Sequence, residues 1–323
     1  MTNTASVAEA RGLRESFDSE SPAKRGVLLT SAVTPRLAVI CDLLDENWPS
    51  MDLVAEMLLT TLQRSEAPGI RASRVRPDMV RRFSRMGPFR NGRLAVNADR
   101  FLNRFWDYPR LLADIPREYD LFHIVDHSYA HLVHALPPHR TIVTCHDLDA
   151  FRCLVEPDGE RRGLPYKKMA TRILSGLRKA AHVTCDSAAT RDEPLRYWLV
   201  PPDRLSVISL GVHPVFSAGP DPKADEEAAR LLGPTSHAPA DLLHVGSTVP
   251  RKGIELLLRL FAEVRTQYPG TRLVRVGGQF SRSQERLATD LEIRDAVVVL
   301  PTLSREVLAA VYRRAALVLL PSS

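Results

Sequence analysis

Four short stretches of this 323-residue chain gather residue types that do chemistry. In VGSTVPRKGIELLLRLF, Val245 to Phe261, an apolar run ends at Gly246 and a polar loop containing Ser247 follows. Arg251 and Lys252 then stand where a helical pattern begins. A helix N-terminus offers unpaired amides and the positive end of the dipole, so it favours an anion. Two cations sit poorly there unless an anion joins them, and arginine grips phosphate oxygens through two parallel hydrogen bonds. The stretch lacks GxxxxGK[ST], so it is read as a phosphate site of a kind other than the Walker loop. Basic residues on an ordinary surface are the plainer alternative.

In TIVTCHDLDAF, His146 and Asp147 follow directly on an apolar run, which places them at the carboxyl end of a strand. A histidine there can hydrogen-bond a sugar hydroxyl or a phosphate, with a neighbouring carboxylate to orient it. A core histidine with its hydrogen bonds met internally is the alternative. HIVDHSYAHLVH carries histidines at 123, 127, 131 and 134. His123 belongs to the strand-like LFHIV, so one helical face of imidazoles is not expected, and no closed ligand set supports a metal. The stretch is read as a crevice-lining turn that includes His127. RLVRVGGQ ends a fourth apolar run on Gly277 and Gly278, which allow a tight turn or close ligand approach. No GxGxxG or GxSxG occurs after a strand, which disfavours a dinucleotide-dependent dehydrogenase and an α/β-hydrolase.

The elements that must position these residues alternate along the whole chain. Strands are expected at residues 36–42, 119–125, 140–145, 181–185 and 204–210, with helices such as 51–62 and 166–180 between them. After a Pro- and Gly-rich seam the alternation restarts. It gives strands at 242–246, 272–277, 297–300 and 316–320, and helices at 251–268, 281–291 and 304–314. Ser281 and Gln284 have capping-box spacing. This alternation predicts an α/β protein with parallel sheets covered by helices on both faces. The domain reading is a disordered tail over 1–30, an N-terminal domain over 31–212, a linker region over 213–240 and a C-terminal domain over 241–323. The last strand runs into Leu320-Pro321-Ser322-Ser323 with no covering helix after it. The chain is therefore read as C-terminally truncated, with its second domain incomplete.

Composition narrows the classes. At 44% hydrophobic and 25% charged residues, the chain is an ordinary globular sequence. No apolar run approaches the roughly 20 residues of a membrane span. The net charge of +6 is uneven: Arg71 to Arg104 holds ten arginines against Asp78 and Asp99, and Arg161 to Lys179 holds seven basic residues and no acidic one. Such segments suggest anionic partners, namely a phosphorylated substrate, a membrane surface or nucleic acid, unless they are merely solvated helix faces. Cys41, Cys145, Cys153 and Cys185 show no CxxC spacing and read as reduced residues of a cytoplasmic protein.

Taken together, YDLFHIVDHS, IVTCHDL, VTCDSAATRDEPLRYWLVPPDRLSVISLGVHPVF and LLHVGSTVPRKGIELLLRLFAEV resemble the retaining nucleotide-sugar glycosyltransferases of the GT-B fold. RLVRVGG and VLPTLSREVLAAVYRRAALVLLPSS continue the resemblance, which covers about Arg36 to Ser323. It implies two Rossmann-like domains facing across a cleft, the acceptor on the first and the nucleotide sugar on the second. It implies transfer with retention of anomeric configuration and no metal or other cofactor. By the same resemblance, Lys252 and Arg251 bind the donor diphosphate, with Ser247 beside them. His146 contacts the donor sugar with Asp147 adjacent. Gly246, Gly277, Gly278 and Leu303 shape the nucleotide pocket, and His127 lies on the acceptor side.

Three departures from the family pattern stand out. Ser247 occupies a position where many members have arginine. DENWPSMDL replaces a glycine-rich turn, leaving Ser50 to cap the next helix and present amides to phosphate. The family's acidic pair falls beyond Ser323. The expected partners are a nucleotide-sugar donor, a glycan or lipid-linked acceptor and, peripherally, an anionic membrane at the cytoplasmic face. A non-catalytic nucleotide- or glycan-binding remnant is the alternative function. Nucleic-acid binding is disfavoured, because the arginine- and phenylalanine-bearing segment matches no recognised module.

Overall fold

The structure, a computed structural model, describes residues 34–46, 48–64, 69–85, 92–157, 161–233 and 240–322. The tail expected over 1–30 lies outside the described residues. Two compact units divide the chain between Leu210 and Gly211.

Nearly every apolar run of the first unit becomes a parallel strand. These are β1 (Arg36–Ile40), β3 (Leu121–Ile124), β4 (Thr141–Cys145), β5 (His182–Cys185) and β6 (Leu205–Val207). With β2 (Arg71–Val75) they form one six-stranded sheet in the order β2-β1-β3-β4-β5-β6. A strand covered by helices on both faces needs apolar side chains on both, and in β1 Leu37, Ala38, Val39 and Ile40 are all buried. β2 was not expected. It is an edge strand in which Arg71, Ser73 and Arg74 are exposed, so RASRV carries no continuous apolar run. The chain order turns back between β1 and β3, which makes their carboxyl ends a topological switch point.

The second unit repeats the design with β7 (Asp241–Val245), β8 (Arg272–Val276), β9 (Val297–Leu300) and β10 (Leu317–Val318). All are parallel, in the order β10-β7-β8-β9, which puts its switch point between β7 and β10. The helix Ile254–Gln267 buries Ile254, Leu257, Leu258 and Phe261, the stripe its spacing predicts. Ser281 and Gln284 form the expected capping box at the helix Arg282–Asp290. Within the stretch read as a linker, the helix Pro222–Leu232 buries Ala224, Ala228 and Leu232 in the second unit's core. Its Asp225 also pairs with Arg313, so this part of 213–240 is structural core, not connecting chain.

The arginine-rich segment of the first unit is largely tied down inside that unit. Arg82 grips Asp107 through two bonds of 2.7 and 2.9 Å. Arg76 pairs with Asp52, Arg81 with Asp45 and Arg104 with Glu46, while Arg100 donates to the Asp45 carbonyl. The buried Asp99 carboxylate accepts from the Arg82, Phe83 and Ser84 amides and the Ser84 hydroxyl. Burial opposes that charge, but these four hydrogen bonds hold its pKa down at about 2. Much of the local positive charge therefore holds one loop and two helices to the sheet. Arg71, Arg74, Arg85 and Arg93 remain exposed.

Candidate functional site

Functional side chains collect at the strand carboxyl ends of each unit, and the two collections differ in kind. In the first unit β4 ends on Cys145, and His146 follows between the ends of β3 and β5. His146 Nε2 donates to the Val125 carbonyl at 2.9 Å, and Nδ1 lies 3.2 Å from the Asp186 carboxylate. Asp186 also accepts from Thr190 Oγ1 at 2.8 Å. Both nitrogens of the ring are thus engaged by neighbouring strand ends.

The carboxylate that orients His146 is therefore Asp186, not Asp147 as the sequence order suggests. Adjacent residues at the end of an extended strand point apart, whereas the next strand's end lies alongside. Asp147 instead meets His127 Nε2 at 3.4 Å, and Asp126 approaches its Nδ1 at 3.3 Å. The His146 amide donates to that same Nδ1 at 3.3 Å, which leaves the His127 proton on the side facing Asp147. Burial opposes charging of His127, but the Asp147 hydrogen bond and the Asp126 and Asp149 charges raise its pKa.

The other three histidines of HIVDHSYAHLVH go elsewhere. His123 bonds Thr144 at 2.7 Å within the sheet, and burial beside His146 lowers its pKa to about 4. His131 bonds the Arg104 carbonyl at 2.9 Å, and His134 faces the Arg172 carbonyl. Among the described residues no group of three histidine, cysteine or acidic side chains is placed to hold a metal ion.

Two further acids complete this cluster, and the motif reading passed over them. Asp42 follows β1 and Asp126 follows β3, the two sides of the switch point. Asp42 is 3% exposed, with no hydrogen-bond partner for either carboxylate oxygen. Burial and the Asp126 charge push its pKa far up. The signal was present: AVICD ends on Asp42 and FHIVD on Asp126, as VTCH ends on His146. Ser50 does not cap a helix. The helix Pro49–Arg64 starts one residue before it, and the Asp52 amide reaches the Trp48 carbonyl, so Trp48 holds the cap position.

The second unit's site is built from backbone and cations. β7 runs into Gly246 and Ser247, and Arg251 and Lys252 lie in the short 3-10 turn Pro250–Lys252, not in the α-helix expected to begin at 251. Gly253 breaks the α pattern at φ +61°, and no side chain caps the helix Ile254–Gln267 that follows. A Cβ at Gly253 would lie 2.2 Å from the Pro321 carbonyl, so chain leaving β10 packs directly on this turn. Lys252 folds back over the loop, and its Cδ would be 3.8 Å from a Cβ on Gly246. Gly277 has φ +119°, and a Cβ there would lie 2.3 Å from the Gly246 carbonyl, which brings the two glycine loops into contact. Leu303 is partly buried against the core beside β9. The structure thus brings Gly246, Ser247, Lys252 and Gly277 into one strand-end site, with Arg251 exposed at its edge.

Residues 64–216 match the family model Glycosyltransferase Family 4, and residues 233–323 match Glycosyl transferases group 1. Together the two matches cover about three quarters of the chain, each with a glycosyltransferase family. A D-inositol 3-phosphate glycosyltransferase of Acidothermus cellulolyticus is 36% identical over 135 residues, which is 38% of this chain and 28% of that protein. The same-named protein of Mycobacteroides abscessus is 34% identical over 128 residues, 38% of this chain and 27% of its own length. The matched segment thus spans just over a quarter of these relatives. Among solved structures, sucrose-phosphate synthase of Thermosynechococcus elongatus superposes with a TM-score of 0.60 at 19% identity, over 89% of this chain and 75% of that one. HepE of Anabaena, solved in complex with UDP and glucose, gives 0.58 at 13% identity over 89% and 74%. Both show the fold, a pair of Rossmann-like units of the GT-B type.

Proposed function

We propose that this protein transfers a sugar from a nucleoside-diphosphate sugar to an acceptor hydroxyl, with retention of anomeric configuration. The observation that carries the reading is the turn at the second unit's switch point. There Arg251 and Lys252 sit between the Gly246 loop and an uncapped helix N-terminus. As the glycosidic bond breaks, negative charge collects on the departing diphosphate. Cations and amides already in place stabilise it without reorganising. The reading calls on no metal, because Arg251, Lys252 and the helix amides supply the positive field.

In the first unit, Asp147 is the group we assign to acceptor hydroxyls, with the buried His127 ring behind it. Asp147 is about one-third exposed. His146, with both ring nitrogens engaged, braces the strand ends that carry them. The acceptor is proposed to be a glycan or a lipid-linked sugar. A peripheral contact with an anionic membrane is supported by Leu94, 87% exposed on the same helix as exposed Arg93. No described helix is long and apolar enough to cross a membrane.

The test is incubation of the protein with a panel of nucleotide sugars and candidate acceptors, following product by mass and anomeric configuration by proton NMR. A product with the donor's configuration supports the reading. An inverted product, or donor binding with no transfer to any acceptor class, removes it.

A further inference from the structure

The second unit contains a buried cation whose chemistry the family reading does not use. Arg275 lies in β8 with no exposed surface, and no carboxylate pairs with it among the described residues. Its guanidinium instead donates to two backbone carbonyls, those of Gly246 at 3.1 Å and Gly278. These are the glycines at which β7 and β8 open into their loops. His244, the register partner of Arg275 on β7, is equally buried and has no hydrogen-bond partner on either ring nitrogen. A buried guanidinium without a carboxylate is costly; this one lies 5.2 Å from the Phe280 ring centroid and spends its hydrogen bonds on the two carbonyls, which sets their direction.

That direction has a consequence on the other side of each peptide plane. In a trans peptide the next residue's N–H points opposite to the C=O. With the Gly246 and Gly278 carbonyls turned inward onto Arg275, the Ser247 and Gln279 amides are turned outward. Ser247 and Gln279 are both exposed, and neither amide donates to a protein acceptor among the described residues. Gly278, at φ +108°, takes a backbone conformation that side chains rarely allow, so this peptide is held where only glycine fits readily.

We infer that Arg275 is a positioning residue that clamps the Gly246 and Gly278 carbonyls so that the Ser247 and Gln279 amides form a paired donor for the diphosphate. This rests on the donor-diphosphate reading above and adds to it a residue that never touches the ligand. Ser247, which stands where many family members carry arginine, then contributes through its backbone. The buried charge also adds to the field at the loop, because little solvent screens it.

The test is titration of the ¹⁵N-labelled full chain with inorganic pyrophosphate, reading amide shifts and affinity together. In the wild type the Ser247 and Gln279 amides should shift along with those of Arg251 and Lys252, at one common Kd. Arg275→Lys keeps the charge but loses the fork that spans two carbonyls. It should weaken pyrophosphate binding about tenfold and shrink the Ser247 and Gln279 responses. Lys252→Ala should weaken binding while both amides still respond at saturation. If Arg275→Lys binds as tightly as wild type while Lys252→Ala does not, the clamp is wrong and the diphosphate reading stands. If the wild type shows no pyrophosphate binding, both fall. Should Arg275→Lys not fold, the wild-type shifts decide alone: static Ser247 and Gln279 amides beside moving Arg251 and Lys252 amides overturn the clamp.

Discussion

The strand ends of the two units present opposite chemistry on the same architecture. In the first, side chains face one another: His127 between Asp126 and Asp147, His146 against Asp186, and Asp42 buried beside them. In the second, the site is glycine backbone, amides and the cations Arg251 and Lys252. Both are parallel sheets with a switch point, so the fold sets where a ligand sits and the loop composition sets what it is. An acid- and histidine-rich strand end suits neutral hydroxyls. A cationic, amide-rich one suits phosphate.

Substitutions can break either half of this contrast. Gly277→Ala should be the most damaging, because the added Cβ meets the Gly246 carbonyl at 2.3 Å with φ at +119°. Strain and overpacking together should cost about 3 kcal/mol, read as a lower chemical-denaturation midpoint for the second unit. Asp42→Asn should act in the opposite sense. An acid whose folded pKa is raised loses stability as pH climbs from its unfolded value, near 4, towards its folded one. The variant should therefore be more stable than wild type by about 2 kcal/mol at pH 8, with little gain at pH 4. An equal gain at both pH values would show that folding does not raise the Asp42 pKa.

Two smaller effects sharpen the comparison. Asp99 has a lowered pKa, so its contribution is present above pH 4 and lost as pH falls towards about 2. Asp99→Asn should cost about 1–2 kcal/mol at pH 7 and flatten acid unfolding across that window. His127 has a raised pKa, so the charged ring stabilises the first unit at low pH, and that stabilisation is lost as pH rises through the folded value. His127→Gln should therefore lose about 1 kcal/mol more at pH 5.5 than at pH 8.5, measured by thermal unfolding at both.

The fold was legible wherever strands are buried on both faces, because such strands must be apolar throughout. The edge strand β2 was hidden, since three of its five residues meet water and two of those are arginine. The second unit's site was also legible, because glycines and cations act close in sequence around the end of one strand. The first unit's site was only half visible. His146 and Asp147 stand out together, yet the real pairs are His146–Asp186 and His127–Asp147, contacts made across neighbouring strand ends. Strand order, which no local pattern encodes, decides those partners. Arg275 was hidden for a related reason: an arginine inside an apolar run reads as surface charge until the carbonyls that hold it are seen.

The central claim is that the turn between Gly246 and Gly253 receives the diphosphate of a nucleotide sugar. Calorimetric titration of the full chain and of Lys252→Ala with UDP and GDP, each against its own nucleoside, tests it most directly. The account predicts that one diphosphate binds wild type far more tightly than its nucleoside does. It also predicts that Lys252→Ala erases most of that difference, about tenfold or more in Kd, with the nucleoside unaffected. A diphosphate that binds no better than its nucleoside, or a Lys252→Ala protein that keeps the full difference, would contradict it.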